Sequence, residues 1–172
     1  METMIQNPVI QAITERRSVR RYTGEKLTQE QLETIAQCAL WAPSAMNQQT
    51  TKIVVTQDRA LIEELGADAG RQGFDYGAPC FVFFYGQQGN KWGTGNAALA
   101  VQNAALAAQS MGLGSVVIGC VYDYLQSAEG KAKWNAKLGV PESHEFILGL
   151  LVGHPAETPA AKERLQENLI WK

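Results

Sequence analysis

Three separated segments of this chain concentrate groups suited to an anionic, amide-rich ligand. The first is Arg16-Arg17-Ser18-Val19-Arg20. In an extended backbone alternate residues face one way, so Arg16, Ser18 and Arg20 would share a side. Two guanidiniums and a hydroxyl suit a phosphate and the polar edge of a ring. The same run also fits the solvated basic end of a helix, where cations complement the dipole. The second segment is Pro43-Ser44-Ala45-Met46-Asn47-Gln48-Gln49-Thr50. It is a proline-initiated turn rich in amide donors and acceptors, and a plain surface loop has the same composition. The third is Lys162-Glu163-Arg164, two cations that by themselves read equally as a charged tail.

The intervening sequence must position these groups. Asn7-Pro8 reads as an N-cap with proline at the first helical position. Thr28 with Gln31 forms a capping box, and a helix follows on Leu32, Ile35, Ala36, Ala39 and Leu40. It must stop before Pro43, because the residue before proline avoids helical angles. Ile53-Val54-Val55 reads as a short strand. Asp58 caps a helix through Leu65, and residues 66–79 read as loop or irregular helix. Cys80 to Tyr85 is a continuous apolar run, the pattern of a strand buried on both faces. Thr94 to Met111 reads as a long alanine-rich helix closed by Gly112. Ser115 to Ile118 and Phe146 to Val152 read as strands, with a polar helix between Leu125 and Leu138. Strands mixed with helices make the chain α/β or α+β.

Bulk features narrow the function classes. At 172 residues, 45% hydrophobic, the chain reads as one domain over residues 1–172. With 15 basic and 17 acidic residues, net −2, it lacks the cationic surplus of non-specific nucleic-acid binding, so no nucleic acid is expected. There is no charged residue between Lys91 and Asp123. Asn96, Gln102, Asn103, Gln109 and Ser110 inside that stretch would be costly in lipid, so it reads as protein core and no membrane is expected. The first residues lack the basic and apolar regions of a secretory signal. Cys38, Cys80 and Cys120 are odd in number and widely spaced, which suits reduced thiols in a cytoplasmic protein. Cys120 is expected to pack as a small buried residue. His144 and His154 have no metal-ligand spacing around them and read as structural or surface residues.

The order and content of the motifs resemble the FMN-dependent nitroreductase family. The resemblance runs over nearly the whole chain. It rests on R-R-S-V-R at 16–20, A-P-S-A-M-N-Q-Q at 42–49 and N-A-A-L-A-V-Q-N-A-A-L-A-A-Q-S-M-G-L-G-S at 96–115. V-I-G-C at 117–120, G-H-P at 153–155, K-E-R at 162–164 and Trp171 complete it. It implies an α+β fold, a three-layer α/β/α sandwich. A mixed, mostly antiparallel sheet would be flanked by helices, with the long alanine-rich helix at the interface of a homodimer. Arg16, Lys162 and Arg164 would grip the FMN phosphate, Ser18 would bond near the ribityl-phosphate arm, and Arg17 would add main-chain contacts. Arg20 would approach the N1/O2 edge of the isoalloxazine, where a cation tunes the redox potential. Asn47 would bond the pyrimidine edge, with Pro43, Ser44 and Ala45 contributed from the other subunit. The Ile118-Gly119 backbone would lie near flavin N5, glycine permitting close approach. No side chain would be an obligatory catalytic group.

The implied activity is ping-pong electron transfer. NADH or NADPH would reduce FMN, and a nitroaromatic, quinone or similar small acceptor would take the electrons. The rival reading is a flavin-binding protein without general turnover, such as a sensor or a partner of another reductase. The chain departs from the family pattern at Gln49-Thr50, where Gln-Pro is common, and at Asn96, where a helix often begins with aspartate. The shortness of 66–92 implies a small or absent lid.

Overall fold

A computed structural model describes residues 4–172. Its centre is strand β2 (Cys80–Gln87). It pairs antiparallel with β1 (Lys52–Thr56) on one side and with β4 (His144–Gly153) on the other. Strand β3 (Gly114–Ile118) pairs antiparallel with β4, giving the order β1-β2-β4-β3. The one parallel contact among the described residues is an isolated bridge from Ser18 to Ser115.

The period of two along β2 builds two cores. Cys80, Val82 and Phe84 point to one face, where α2 (Gln29–Leu40) and α4 (Gly93–Ser110) pack. Phe81, Phe83 and Tyr85 point to the other, against α3 (Arg59–Asp68), α5 (Tyr122–Gln126) and α6 (Ala128–Leu138). This is the three-layer α+β arrangement the resemblance implied, and the apolar run is a strand buried on both faces. Phe83 stacks on Trp134 of α6 and meets Phe81 edge-on at 4.5 Å between centroids. Gly149 lies opposite Phe83, and a Cβ there would overlap the Phe81 ring. The strand thus yields a side chain so that the ring can lie against it.

Helix α4 uses small residues for the same purpose. Ala97, Ala100, Ala104, Ala105 and Ala108 are buried and face the chain's own sheet and α2. The charge-free stretch thus supplies one face of the core through α4, and no described helix is long and apolar enough to cross a membrane.

The capping signals are realised. Asn7 Oδ1 accepts from Val9 and Ile10 N–H at the start of α1 (Pro8–Glu15). Thr28 and Gln31 close a reciprocal capping box, and Asp58 accepts from Ala60 and Leu61. The polar helix expected over 125–138 is instead two. Ser127 ends α5 and starts α6: its Oγ donates to Tyr124 C=O at 2.7 Å and accepts from Gly130 N–H at 3.0 Å. A hydroxyl serving both helices makes the corner, and Gly130 lies hard against the Tyr124 carbonyl. His144 is buried between Thr50 C=O and Ser143 Oγ, a structural role. Cys120 corrects its expectation: it is exposed, because β3 has ended at Ile118.

Two outcomes test this architecture. Gly130→Ala forces a Cβ into the Tyr124 carbonyl and lowers the unfolding free energy by about 1–3 kcal/mol, the usual cost of overpacking, read by denaturant titration. A chromogenic disulfide reagent labels Cys120 in the native protein, whereas Cys80 reacts only after unfolding. Burial pushes the Cys80 thiol up to about 12, and only a thiolate reacts.

Candidate functional site

The two ends of the chain meet at the β3 edge of the sheet. Val19 N–H donates to Ser115 C=O at 3.0 Å, which docks the 16–20 segment beside β3. Gly114 makes room for it: a Cβ there would stand 2.9 Å from Val19. The chain leaving β4 then runs back along residues 20–23. Thr23 N–H donates to His154 C=O at 3.0 Å and Ala156 N–H to Arg21 C=O at 2.8 Å. Glu157 accepts from the Arg20 backbone N–H at 2.5 Å. This pairing lays residues 159–164 across the basic segment.

The result is a cleft of about 240 Å³ lined by Arg16, Arg17, Ser18, Arg20, Lys162 and Arg164, with Pro159 and Ala160. Five cations converge. Among the described residues, none of the five has a carboxylate within salt-bridge distance; the ion pairs lie elsewhere, around α3 and α6. Partial burial, then the charges of Arg17 and Arg164, pull the Arg16 pKa below its ordinary value. An anion in the cleft would relieve that repulsion and gain charge-assisted hydrogen bonds. The volume is below the roughly 300–1,000 Å³ of a pocket that encloses a drug-sized ligand. A phosphate fits, and a larger ligand must extend out of it.

The structure brings together six residues that the sequence had placed in one site: Arg16, Arg17, Ser18, Arg20, Lys162 and Arg164. Arg16, Ser18 and Arg20 share the cleft as the alternation required. Arg17 joins them because its side chain folds back onto Thr14 and Arg16 C=O. Ile118 ends β3, beside which the basic segment docks, and Gly119 follows it. Gly119 is exposed, and the space where its Cβ would stand is open.

Pro43, Ser44, Ala45 and Asn47 do not reach this cleft within one chain. They precede β1, at the opposite edge of the sheet, on the order of 14 Å away at three strand spacings. Their loop is held in an uncommon form: Met46, Asn47 and Gln49 have φ of 53°, 54° and 52°. Ser44 Oγ accepts from Gln49 N–H at 2.9 Å, and Asn96 Oδ1 from Ala45 N–H at 3.1 Å. Asn96 is thus the anchor of the loop. Neither it nor Glu157 carries a local signal for its role, since each acts through a contact far along the chain.

Comparison with known proteins places these features. The profile of the Nitroreductase family matches residues 13–70 and 66–154. An FMN reductase [NAD(P)H] of Bacillus subtilis is 31% identical over 95% of this chain and 72% of its own length. A nitroreductase with bound FMN from Desulfitobacterium hafniense superimposes with a TM-score of 0.91 at 25% identity, covering 98% of this chain and all of its own. The NADPH:FMN oxidoreductase of Vibrio harveyi, complexed with NAD+, superimposes at 0.79 with 31% identity, over 92% of this chain and 74% of its own. With the family profile spanning most of the chain and the basic cleft formed from its motifs, this protein belongs to the nitroreductase family.

Proposed function

We propose that this chain is an FMN-dependent NAD(P)H oxidoreductase whose cofactor phosphate sits in the cleft of five cations. That convergence of charge, with no carboxylate ion-paired to any of the five among the described residues, carries the reading. The residues present fit FMN. Arg16, Lys162 and Arg164 hold the phosphate, Ser18 supplies a hydroxyl to the adjoining arm, and Arg17 adds main-chain contacts. Arg20 would face the N1/O2 edge of the ring, and the Ile118-Gly119 backbone would lie near N5, where no Cβ intrudes. When bound, FMN takes two electrons from NADH or NADPH as hydride and passes them to a small acceptor such as a nitroaromatic or quinone. The protein's part is to fix the cofactor and leave one ring face open. The names and bound cofactors of the relatives support this reading.

Pro43, Ser44, Ala45 and Asn47 complete the site from a second copy, so the working unit is a homodimer of the 172-residue domain. Unpartnered apolar surface supports the assembly. Trp41 is 83% and Trp171 88% exposed. Pro8, Val9, Ala12, Trp41, Leu106 and Ala107 line an apolar groove of about 380 Å³. Exposed patches of this kind are the mark of association. The helix α4 therefore offers the interface its outer side, with Leu106 and Ala107, and keeps Ala97, Ala100, Ala104, Ala105 and Ala108 for its own sheet and α2. Three unpaired cysteines suit the cytoplasm.

Purified protein shows flavin absorbance, and either reduced nicotinamide bleaches it without oxygen. A protein that takes up no added FMN overturns the reading, and one that stays yellow with both donors favours the non-turnover alternative. Arg16→Gln weakens FMN binding by roughly 10- to 100-fold, the worth of one or two charge-assisted hydrogen bonds, measured by fluorescence titration. Light scattering gives about twice the 18.8 kDa chain mass; a monomer that keeps FMN tightly contradicts a shared site.

A further inference from the structure

The loop between α3 and β2 is short but built with unusual firmness. Gly70, Gly73 and Gly77 have positive φ, and so does Tyr76 at 51°, a strained value for a bulky residue. The loop is pinned from beneath. Asp75 is buried and accepts from Arg59 and, at 3.0 Å, from Gly77 N–H. Phe74 is buried and meets Phe81 edge-on. Arg71 is fixed at its backbone, its N–H donating to Gly66 C=O at 2.7 Å and its C=O accepting from Phe74 N–H at 3.1 Å. The lid expected to be small or absent is therefore a rigid rim.

That rim delivers one cation to the end of β3. Arg71 Nε donates to the Cys120 carbonyl at 3.3 Å. Cys120 is exposed and follows Gly119, the residue assigned beside flavin N5. Arg71 itself is exposed. Among the described residues its two Nη groups have no protein partner and no carboxylate lies within salt-bridge distance. It is also absent from the lining of the phosphate cleft. The cofactor phosphate therefore has its own cations, and Arg71 is left for something else that reaches the end of β3.

We propose that Arg71 is a specificity-determining residue, whose guanidinium binds an oxyanion carried by the incoming electron donor or acceptor. The inference rests on the FMN site described above and names the charge class of its substrates. A guanidinium whose Nε is fixed on a backbone carbonyl presents its two Nη groups as a fork, the geometry that suits phosphate or carboxylate. Pinning by Asp75 and Phe74 lowers the ordering cost of binding. The exposure of the site makes the attraction modest and sensitive to salt.

Two substrate pairs test it on the FMN-loaded enzyme. On the donor side, NADH is compared with dihydronicotinamide riboside, which lacks phosphate. On the acceptor side, 4-nitrobenzoate is compared with uncharged 4-nitrobenzyl alcohol. In Arg71→Gln the KM of the charged member rises relative to its uncharged partner by roughly three- to tenfold, and Arg71→Lys restores most of it. Added salt narrows the wild-type preference in the same direction. A shift in the donor pair alone identifies a donor phosphate, and one in the acceptor pair alone identifies an anionic acceptor. An equal change in both members of both pairs overturns the proposal, because a role confined to holding the Cys120 carbonyl does not sense substrate charge. FMN affinity separates the two levels: wild type that fails to take up FMN overturns the cofactor site and this inference with it. Wild type that turns over with FMN, beside an Arg71→Gln enzyme of unaltered charge preference, overturns only the assignment of Arg71.

Discussion

The site depends on the docking of Val19 against Ser115 at the free edge of β3. That contact exists because Gly114 has no side chain to prevent it. Once it is made, Arg16, Ser18 and Arg20 are committed to one side of an extended segment. The segment after β4 that returns along residues 20–23 then carries Lys162 and Arg164 over them. The consequence is electrostatic. Cations held together with no carboxylate ion-paired to them repel one another, and burial of Arg16 reduces the solvent screening that would soften the repulsion. The fold tolerates this because the sheet behind it is packed on both faces with aromatic and aliphatic side chains.

The two faces of the sheet divide the labour. The face under α3, α5 and α6 holds Phe81, Phe83, Tyr85, Phe146 and Trp134, and its outer surface carries the ion pairs of Glu64 and Asp68 with Lys133 and Lys137. Pairs as exposed as these add little stability, so the aromatic packing dominates. The face under α2 and α4 is closed by the alanines of α4. It brings Asn96 near enough to hold the 44–49 loop. One core thus provides rigidity, and the other positions a segment whose left-handed residues only a firm anchor can maintain.

Much of the architecture was legible in the sequence because its signals are local. A capping box needs two residues three apart, and a doubly buried strand needs an unbroken apolar run. Thr28 with Gln31 and the Cys80–Tyr85 run supply these. The division of 125–138 into α5 and α6 was not legible, since Ser127 inside a polar helical pattern looks like any surface serine. The exposure of Cys120 was missed for a related reason: it depends on where β3 loses its partner strand.

The residue types and order of the three polar segments were determined by the sequence itself, and with them the chemistry of an anion site. Which segments meet was decided only by the tertiary structure. Arg16 and Arg164 are adjacent in space because the chain leaving β4 pairs with the extended segment that bears Arg20, a pairing across most of the chain that no local pattern encodes. The same strand order sends Pro43 to Asn47 to the far edge of the sheet, and the free backbone at β3 receives the basic segment instead. Arg71 follows the same rule. Its charge is plain in the sequence, but its place beside Cys120 comes from a buried aspartate and a phenylalanine that fix the turn around it.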